Sequence, residues 1–323
     1  MPLLRGGLCV EGSARLTHKD AIVVWRFCDG RVGHDNQSTG LVEALSTIRK
    51  VEAHALVGDP MGRAAFYWAA HYYPRAVEYP DPDLIIGAGR RTHLSMLAAR
   101  RARGGRIIVL MKPDLPLRWF DLCIIPRHDN PPARADVLVS HGALTRLIPA
   151  REKNPQAGLI LLGGPSRHFP WNGQHVIKQI TSIVAQDPAR AWIIATSRRT
   201  PPEFQQNLVF SNPELAKRIS FCQDTGSDWL PGQLAVSPVV WVTEDSVSMI
   251  YEALSAGAAV GLIELPRRGS SRITRGIDEL LDEGRVIAYD DWRAGKPLTI
   301  PGLSLQESMR CAQYVANRWL SDL

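Results

Sequence analysis

One short segment near the start of the chain combines the residue types that acid–base chemistry requires. It runs from 28 to 37 (CDGRVGHDNQ), directly after the apolar run Ala21–Phe27, and contains His34 with the carboxylates of Asp29 and Asp35 close by. Histidine titrates near neutral pH, and a neighbouring carboxylate can orient its ring or act as the base itself. The segment therefore predicts a catalytic group of His34, Asp29 and Asp35. The alternative is a structural turn whose acidic side chain caps the following helix.

Three segments in the second half combine glycine, hydroxyl and arginine side chains, which are groups that hold phosphates. They are 163–168 (GGPSRH), 196–201 (TSRRTP) and 242–253 (VTEDSVSMIYEA). Backbone amides, hydroxyls and guanidinium groups donate hydrogen bonds to phosphate oxygens, and a helix N-terminus adds a favourable dipole. In the third segment Glu252 follows Ser248 by one helical turn, so its carboxylate can accept hydrogen bonds from ribose hydroxyls. The predicted ligand-binding residues are Gly33, Gly163, Gly164, Ser166, Ser197, Arg198, Ser246, Ser248 and Glu252, with ordinary turns and helix caps as the alternative.

A further segment supplies polar side chains for a second substrate. His128 and Asp129 follow the apolar run Leu122–Ile125 and are predicted to line an acceptor pocket, with an ordinary turn as the alternative. The segment 87–92 (GAGRRT) resembles the start of a dinucleotide-binding fingerprint, but its third glycine is missing and it does not follow the first strand. We therefore expect no bound dinucleotide cofactor.

The composition is that of a globular protein with a modest positive charge. Of 323 residues, 38 are Lys or Arg and 32 are Asp or Glu, which gives a net charge of +6. A cluster of arginines on a predicted helix is either a solvated face or a contact for an anionic membrane, and comprises Arg90, Arg91, Arg100, Arg101, Arg103 and Arg106. Aromatic residues are not interleaved in it, so nucleic acid is not a predicted partner. Residues 1–20 lack an apolar core and no run reaches ~18 apolar residues, so we expect a cytoplasmic protein, at most peripheral at the inner membrane face.

The cysteines predict neither a disulfide framework nor a structural zinc site. There are five of them, an odd number, and they are far apart in the chain: Cys9, Cys28, Cys123, Cys222 and Cys311. No C-x-x-C pair is present, and paired spacings of that kind are what structural metal sites require. We therefore expect free thiols in a reducing compartment.

Short apolar runs alternate with helical patterns along the whole chain. The predicted strands are Ala21–Phe27, Leu84–Ile86, Arg106–Met111, Leu122–Ile125, Val137–Val139, Gly158–Leu162, Ala191–Thr196, Val239–Thr243 and Val260–Ile263. Continuous apolar strands that alternate with helices predict parallel sheets covered on both faces. The polar segment Pro149–Ala157 is a predicted linker, which divides the chain into domains 1–150 and 151–323. The predicted fold is α/β, with two doubly wound Rossmann-like domains facing a cleft and a terminal crossover helix, Leu305–Leu320.

Five motifs taken together resemble a known family. They are DGRVGHDNQSTGLVEAL (29–45), FDLCIIPRHD (120–129), GGPSRHFPW (163–171), TSRRTP (196–201) and VTEDSVSMIYEALSAGAAV (242–260). In this order they resemble the ELM1-like family, over about residues 21–290. The same positions are similar to GT-B glycosyltransferases of the MurG type, in which a Gly-His pair follows the first strand and a Ser-x-x-x-Glu helix binds the donor. Gly33-His34 and Ser248 with Glu252 match these positions, although the glycine-rich stretch before His34 is thinner here.

The resemblance implies an inverting glycosyltransferase that holds a nucleotide-sugar donor in its second domain. The acceptor, expected to be a cell-envelope lipid or saccharide, would lie on the first domain. The resemblance implies no metal ion or other cofactor, because such enzymes generally work without one. Two alternatives remain open: a non-catalytic recruiting protein, as described for plant members of the family, and a nucleotide-sugar epimerase. Oligomeric state is not predicted.

Overall fold

Two parallel six-stranded sheets form the frame of the molecule. The computed structural model describes residues 21–146, 152–211, 213–226, 228–300 and 305–320. The first sheet has the order β2–β1–β3–β4–β5–β6, and the second the order β12–β11–β10–β7–β8–β9. The strands of the first sheet are β1 (Ile22–Cys28), β2 (Val51–Val57), β3 (Leu84–Ala88), β4 (Arg106–Leu110), β5 (Leu122–Pro126) and β6 (Val137–Ser140). Those of the second are β7 (Ala157–Leu161), β8 (Ala191–Ala195), β9 (Ile219–Ser220), β10 (Val239–Thr243), β11 (Ala259–Ile263) and β12 (Val286–Ala288).

Helices connect the strands and cover the sheets. They are α1 (Val32–Ile48), α2 (Met61–Ala70), α3 (Arg90–Arg103), α4 (Gly173–Gln186), α5 (Pro202–Ser211), α6 (Pro213–Ala216), α7 (Trp229–Val236), α8 (Val247–Ser255), α9 (Arg272–Asp282), α10 (Tyr289–Arg293) and α11 (Glu307–Trp319). Short 3₁₀ turns at Leu117–Trp119 and Arg127–Asp129 follow β4 and β5. This arrangement confirms the predicted α/β class with two doubly wound sheets.

The central strands of the first sheet are buried on both faces because alternate residues enter two different cores. Ile22 and Val24 belong to a core shared with α1, whereas Val23 and Trp25 belong to a second core shared with α3. In the second sheet one continuous core extends over the strands and their helices. The apolar runs seen in the sequence are therefore strands without a solvent face, as parallel sheets require.

The last helix, α11, returns from the second half of the chain to the first sheet. Cys311 and Val315 are fully buried in the core beside α1. The Ser308 hydroxyl receives a hydrogen bond from the amide of Thr145 at 3.0 Å, and Arg49 donates to the carbonyl of Leu320 at 2.9 Å. The predicted second domain, 151–323, thus contributes a helix to the first core. The predicted boundary at 150/151, residues 149–151 of the predicted linker and Cys9 lie outside the described residues.

The structure corrects two expectations near the predicted site. The sequence places His34 and its neighbouring carboxylates in a segment before the following helix, but α1 begins at Val32. Gly33, His34 and Asp35 therefore lie in the first turn of a helix. The strand β2, with the sequence VEAHALV, is an addition to the prediction, since it is a largely exposed edge strand and lacks a continuous apolar run. The four cysteines in the described ranges are free thiols, as predicted.

Candidate active site

A histidine and a buried aspartate form the most ordered polar pair at the carboxyl edge of the first sheet. His34 Nδ1 lies 2.8 Å from Asp29 Oδ2, and the Asp29 side chain is only 3% exposed. The other carboxylate oxygen of Asp29 accepts a hydrogen bond from the amide of Arg31 at 3.0 Å. With its Nδ1 proton donated to Asp29, the imidazole carries an unprotonated Nε2 that can accept a proton. Nε2 has no hydrogen-bond partner among the described residues.

A glycine from the neighbouring strand makes room for this pair. Gly89 ends the β3–α3 connection with φ +88°, and a Cβ at this position would overlap both His34 Nδ1 and Asp29 Oδ2. Glycine is therefore required on two grounds, backbone conformation and space. The sequence analysis did not select Gly89. The G-x-G after a predicted strand was the pattern that pointed to it, although not as part of a dinucleotide site.

Asp35 does not share in the pair, which corrects its predicted role. Its carboxylate lies 4.0 Å from Arg26 and also interacts with the thiol of Cys28. Asp35 is only one residue from His34, but successive residues of a helix point in different directions. Of the two carboxylates that the sequence offered, Asp29 orients the imidazole. Burial raises the pKa of the Cys28 thiol, so this cysteine is not activated as a thiolate.

The predicted acceptor residues lie in a contact between the two halves of the chain instead of lining an open pocket. Asp129 pairs with Arg272 of α9 at 2.7 Å. The ring of His128 stacks on Tyr251 of α8 with centroids 6.5 Å apart, and its Cβ packs against Gly276. Burial among these groups lowers the pKa of His128. Both side chains are used to dock the second half of the chain onto the first.

This contact brings the carboxyl edges of the two sheets together. His128 follows β5, and Gly142, which also contacts the Tyr251 ring, follows β6. On the other side, α8 begins directly after β10. Three strand spacings separate β1 from β5, so the His34 pair lies about 14 Å along the edge from this contact. The two carboxyl edges therefore border a cleft.

At the edge of the second sheet, the glycine pair is a packing point and its amides are already bonded. The amide of Gly163 donates to Thr243 Oγ1 at 2.8 Å, and that of Gly164 donates to Asp245 Oδ2 at 3.0 Å. A Cβ on Gly163 would overlap Asp245 and Ser246, while one on Gly164 would overlap the carbonyl of Arg199. The expectation that these two amides hold a phosphate is therefore not met. The glycines allow two loops to approach each other.

An arginine that the sequence analysis passed over completes this cluster. Arg199 lies 2.7 Å from Asp245 and donates to Ser246 Oγ at 2.8 Å. The Asp245 side chain is fully buried, and its Oδ1 has no hydrogen-bond partner among the described residues. The sequence pointed to Arg198, which is exposed. Adjacent arginines in a loop cannot be ranked from the sequence because the orientation of each depends on the loop's conformation.

Two of the predicted serines stabilise loops. Ser197 Oγ donates to the carbonyl of Gly163 at 3.0 Å and accepts from the amide of Arg199. Ser166 Oγ accepts hydrogen bonds from the amides of His168 and Phe169, so it closes a turn. These contacts agree with the alternative that the sequence left open, that of structural turns.

The N-terminus of α8 keeps its hydrogen-bonding groups free. Ser246 is the N-cap residue but makes no capping bond, because its hydroxyl is bonded to Arg199 and Asp245. In the described chain the amides of residues 247–249 have no acceptor, and Ser248 is exposed beside them. Such a helix end attracts an anion. Among the residues described, no group of three or more His, Cys, Asp or Glu side chains is placed to hold a metal ion.

One turn further along α8, the side chain of Glu252 is largely buried, and its carboxylate has no hydrogen-bond partner within the described ranges. Burial raises its pKa to about 7. A desolvated carboxylate without a partner destabilises a fold, so it is more common at binding sites than in ordinary packing. Ser248 and Glu252 are thus the two predicted residues of this edge whose polar groups remain available to a ligand.

The chain matches the family model described as "Mitochondrial fission ELM1" over residues 32–319. It belongs to this family. An uncharacterized protein from Rickettsia prowazekii (strain Madrid E) is 22% identical over 320 residues, an alignment that covers 80% of this chain and 88% of the relative. For the ELM1-family chain, the matched range includes His34, Gly89 and Glu252, and it begins three residues after Asp29.

Solved structures show which fold this ELM1-family protein shares. A structure from Listeria monocytogenes assigned as a UDP-N-acetylglucosamine 2-epimerase matches with a TM-score of 0.60 and 14% identity, covering 92% of this chain and 96% of that one. MurG from Acinetobacter baumannii matches with a TM-score of 0.52 and 13% identity, covering 93% and 99%. At such low identity the likeness establishes the GT-B fold and leaves the reaction to the site residues.

Proposed function

We propose that this ELM1-family protein is a glycosyltransferase that moves a sugar from a nucleotide-sugar donor to a hydroxyl of a cell-envelope lipid or saccharide. The observation that carries the proposal is a pair of complementary sites on one cleft. The first sheet carries an oriented histidine with a free ring nitrogen, and the second carries an uncapped helix N-terminus with a free carboxylate beyond it. The fold, which glycosyltransferases and nucleotide-sugar epimerases share, is consistent with this assignment.

In the proposed reaction His34 acts as the general base. Nε2 takes the proton of the acceptor hydroxyl, and Asp29 stabilises the resulting imidazolium through Nδ1. The acceptor oxygen forms a bond to the anomeric carbon as the bond from that carbon to the diphosphate breaks. The electron pair leaves with the diphosphate. A single displacement of this kind inverts the configuration at the anomeric carbon.

The leaving group is held by the start of α8. The free amides of residues 247–249 and the exposed hydroxyl of Ser248 would donate to the phosphate oxygens, where the helix dipole also favours negative charge. Glu252 would accept hydrogen bonds from the ribose hydroxyls. Arg199 does not need to contact the donor in this scheme, because its interaction with Ser246 and Asp245 keeps the helix end uncapped.

The first experiment measures donor binding by thermal shift and calorimetry against a panel of nucleoside diphosphates and their sugars. A ligand at roughly a hundred times its Kd stabilises the native state by about 3 kcal/mol. We expect one nucleotide class to shift the Tm, and Glu252→Ala to abolish that shift. Glu214→Ala is the matched control, since Glu214 is an exposed glutamate far along the chain, paired only with Lys217.

The second experiment measures turnover with the donor so identified and a lipid extract as the source of acceptor. Release of nucleoside diphosphate that depends on acceptor supports the transferase. Interconversion of the sugar with no acceptor present would replace it with an epimerase. Binding without turnover would favour a recruiting role, and an unshifted Tm across the whole panel would contradict the proposed donor site.

A further inference from the structure

The helix α2 presents apolar side chains to solvent, contrary to the usual pattern of a surface helix. Its sequence is MGRAAFYWAA, and of these ten residues only Ala64 is buried and only Tyr67 is half-buried. Met61 is 69% exposed, Phe66 66% and Trp68 44%. A surface helix normally turns its apolar face to the core and its charged face to water. Contiguous exposed apolar surface of this kind marks an interaction site.

The apolar surface continues into a groove between α2 and α3. This groove has a volume of about 440 Å³ and is lined by Trp68, Leu94, Leu97 and Trp119. Trp119, in the 3₁₀ turn after β4, is itself 40% exposed. Three separate segments of the chain therefore contribute to one apolar face, which we call the α2 face.

Basic side chains surround the α2 face. The stretches 57–77, 90–101 and 112–121, which form it, contain eight Lys or Arg and three Asp or Glu, so they carry most of the chain's net charge of +6. Arg101 lies over the Trp68 ring, 4.4 Å from its centroid. The side chain of Arg63 is 54% exposed, and Arg118 is also exposed. Exposed aromatic groups within a basic surround match a lipid bilayer that carries anionic headgroups.

The same charge argues against a second copy of the chain as the occupant. A two-fold interface would place the α2 face against itself, so that like charges would meet around the apolar centre. Within the described ranges no helix is both long and apolar enough to cross a membrane. Contact with a bilayer at this face would therefore be made at its surface.

We propose that the α2 face docks this protein onto an anionic membrane surface. Phe66, Met61 and Trp68 would enter the headgroup region while Arg63 and Arg118 contact lipid phosphates. The face reaches the edge that carries the candidate base, because Gly58 before α2 lies against the backbone of Arg91. Docking would thus bring the acceptor side of the cleft to the bilayer. Membrane binding can be measured without turnover, so this inference stands or falls independently of the proposed reaction.

The test is flotation of the full-length protein with phosphatidylcholine vesicles, with or without about one third phosphatidylglycerol. We expect binding to the anionic vesicles only, and a steep loss of binding as salt is raised. Phe66→Ser should reduce the partition coefficient about tenfold. The double change Arg63→Gln with Arg118→Gln should reduce it tenfold or more. The Tm of each variant is measured to confirm folding.

Matched controls separate a local effect from a general one. Phe210, on α5 of the second half, is 89% exposed, so Phe210→Ser removes the same side chain from a different surface. Lys178→Gln with Arg275→Gln removes the same charge from exposed positions on α4 and α9. Equal losses in test and control variants would overturn the proposal, as would absence of binding to anionic vesicles. A dimer in solution that Phe66→Ser dissociates would also overturn it and assign the face to self-association.

Discussion

The two sheet edges that border the cleft differ in which of their polar groups are hydrogen-bonded within the protein and which remain free. At the first edge, Asp29 uses both carboxylate oxygens to hold His34 and the turn beside it, and this leaves the reactive ring nitrogen free. At the second edge, most of the polar side chains that the sequence singled out bond to one another. There the free groups are backbone amides, one carboxylate oxygen of Asp245 and the carboxylate of Glu252.

This contrast between the two edges indicates which polar groups of a loop are available to bind a ligand. Gly163 and Ser197 have the residue types of a phosphate site, but their hydrogen bonds are complete within the protein. The carboxylate of Glu252, by contrast, lacks hydrogen bonds within the protein, and a buried carboxylate without them lowers stability. A buried polar group that lacks hydrogen bonds, and so lowers stability, is therefore a better indicator of a ligand-binding group than residue type alone.

His34→Ala should have the largest effect on turnover. Loss of a positioned general base lowers rate by about 10² to 10⁴-fold, whereas donor affinity should stay unchanged because the proposed donor site lies on the other sheet. Steady-state kinetics and calorimetry with the same donor separate the two quantities. Asp35→Asn is the control, since Asp35 faces Arg26 and Cys28, away from the imidazole. A variant His34→Ala that loses donor affinity while keeping turnover would reverse the assignment of the two edges.

Glu252→Gln should weaken donor binding about tenfold and stabilise the protein at the same time. The pKa of Glu252 in the fold is about 7, above its ordinary value of 4.5. Burial of the charged carboxylate therefore does not destabilise the fold below pH 4.5, and its destabilising effect is complete above pH 7. Glu252 should therefore lower the free energy of unfolding by about 3 kcal/mol between those pH values, so the pH profiles of the original protein and the variant should diverge by about that amount. Chemical denaturation across this pH range measures the difference.

The control for this change is Glu214→Gln, at a fully exposed glutamate. It should leave both donor affinity and the pH profile of stability close to those of the original protein. If the unfolding free energies of Glu252→Gln and of the original protein depended on pH in the same way, Glu252 would be solvated. The second edge would then have no buried carboxylate at position 252 that lacks hydrogen bonds.

Gly89→Ala tests how tightly the first edge is constructed. The substitution places a side chain at φ +88° and into the space of His34 and Asp29. We expect a loss of about 1–3 kcal/mol in unfolding free energy, with a fall in turnover larger than the stability loss explains. Measurement of kcat below the transition temperature distinguishes the two effects. Turnover that survives would mean that the His34 pair tolerates displacement and is not the base.

The sequence predicts the fold well because the central strands are short and almost entirely apolar. Where that pattern is missing, as in the exposed edge strand β2, or where a helix has no polar face, as in the largely apolar α2, the sequence gives no prediction. The hydrogen-bonded pair of His34 and Asp29 is only partly predicted, because proximity along the chain cannot choose between Asp29 and Asp35 as the partner of His34. Because α1 begins at Val32, Asp35 lies on the helix beside Arg26, and Asp29 is the carboxylate that contacts the imidazole. The roles of Gly89, Arg199 and His128 depend on contacts between distant segments, which no local pattern encodes.

Gly33→Ala has the smallest expected effect, and it asks whether the first edge also binds ligand through its backbone. Gly33 lies in the first turn of α1, and a Cβ there would meet nothing within 4 Å. Alanine should therefore stabilise the helix by about 0.5–1 kcal/mol, and the same gain is expected from Gly62→Ala in α2, where space is equally open. If a substrate approaches the backbone at 33, only Gly33→Ala will combine a higher Tm with a raised KM. Unchanged KM in both variants would confine the first edge's role to His34 and Asp29, because the backbone at Gly33 would then make no substrate contact.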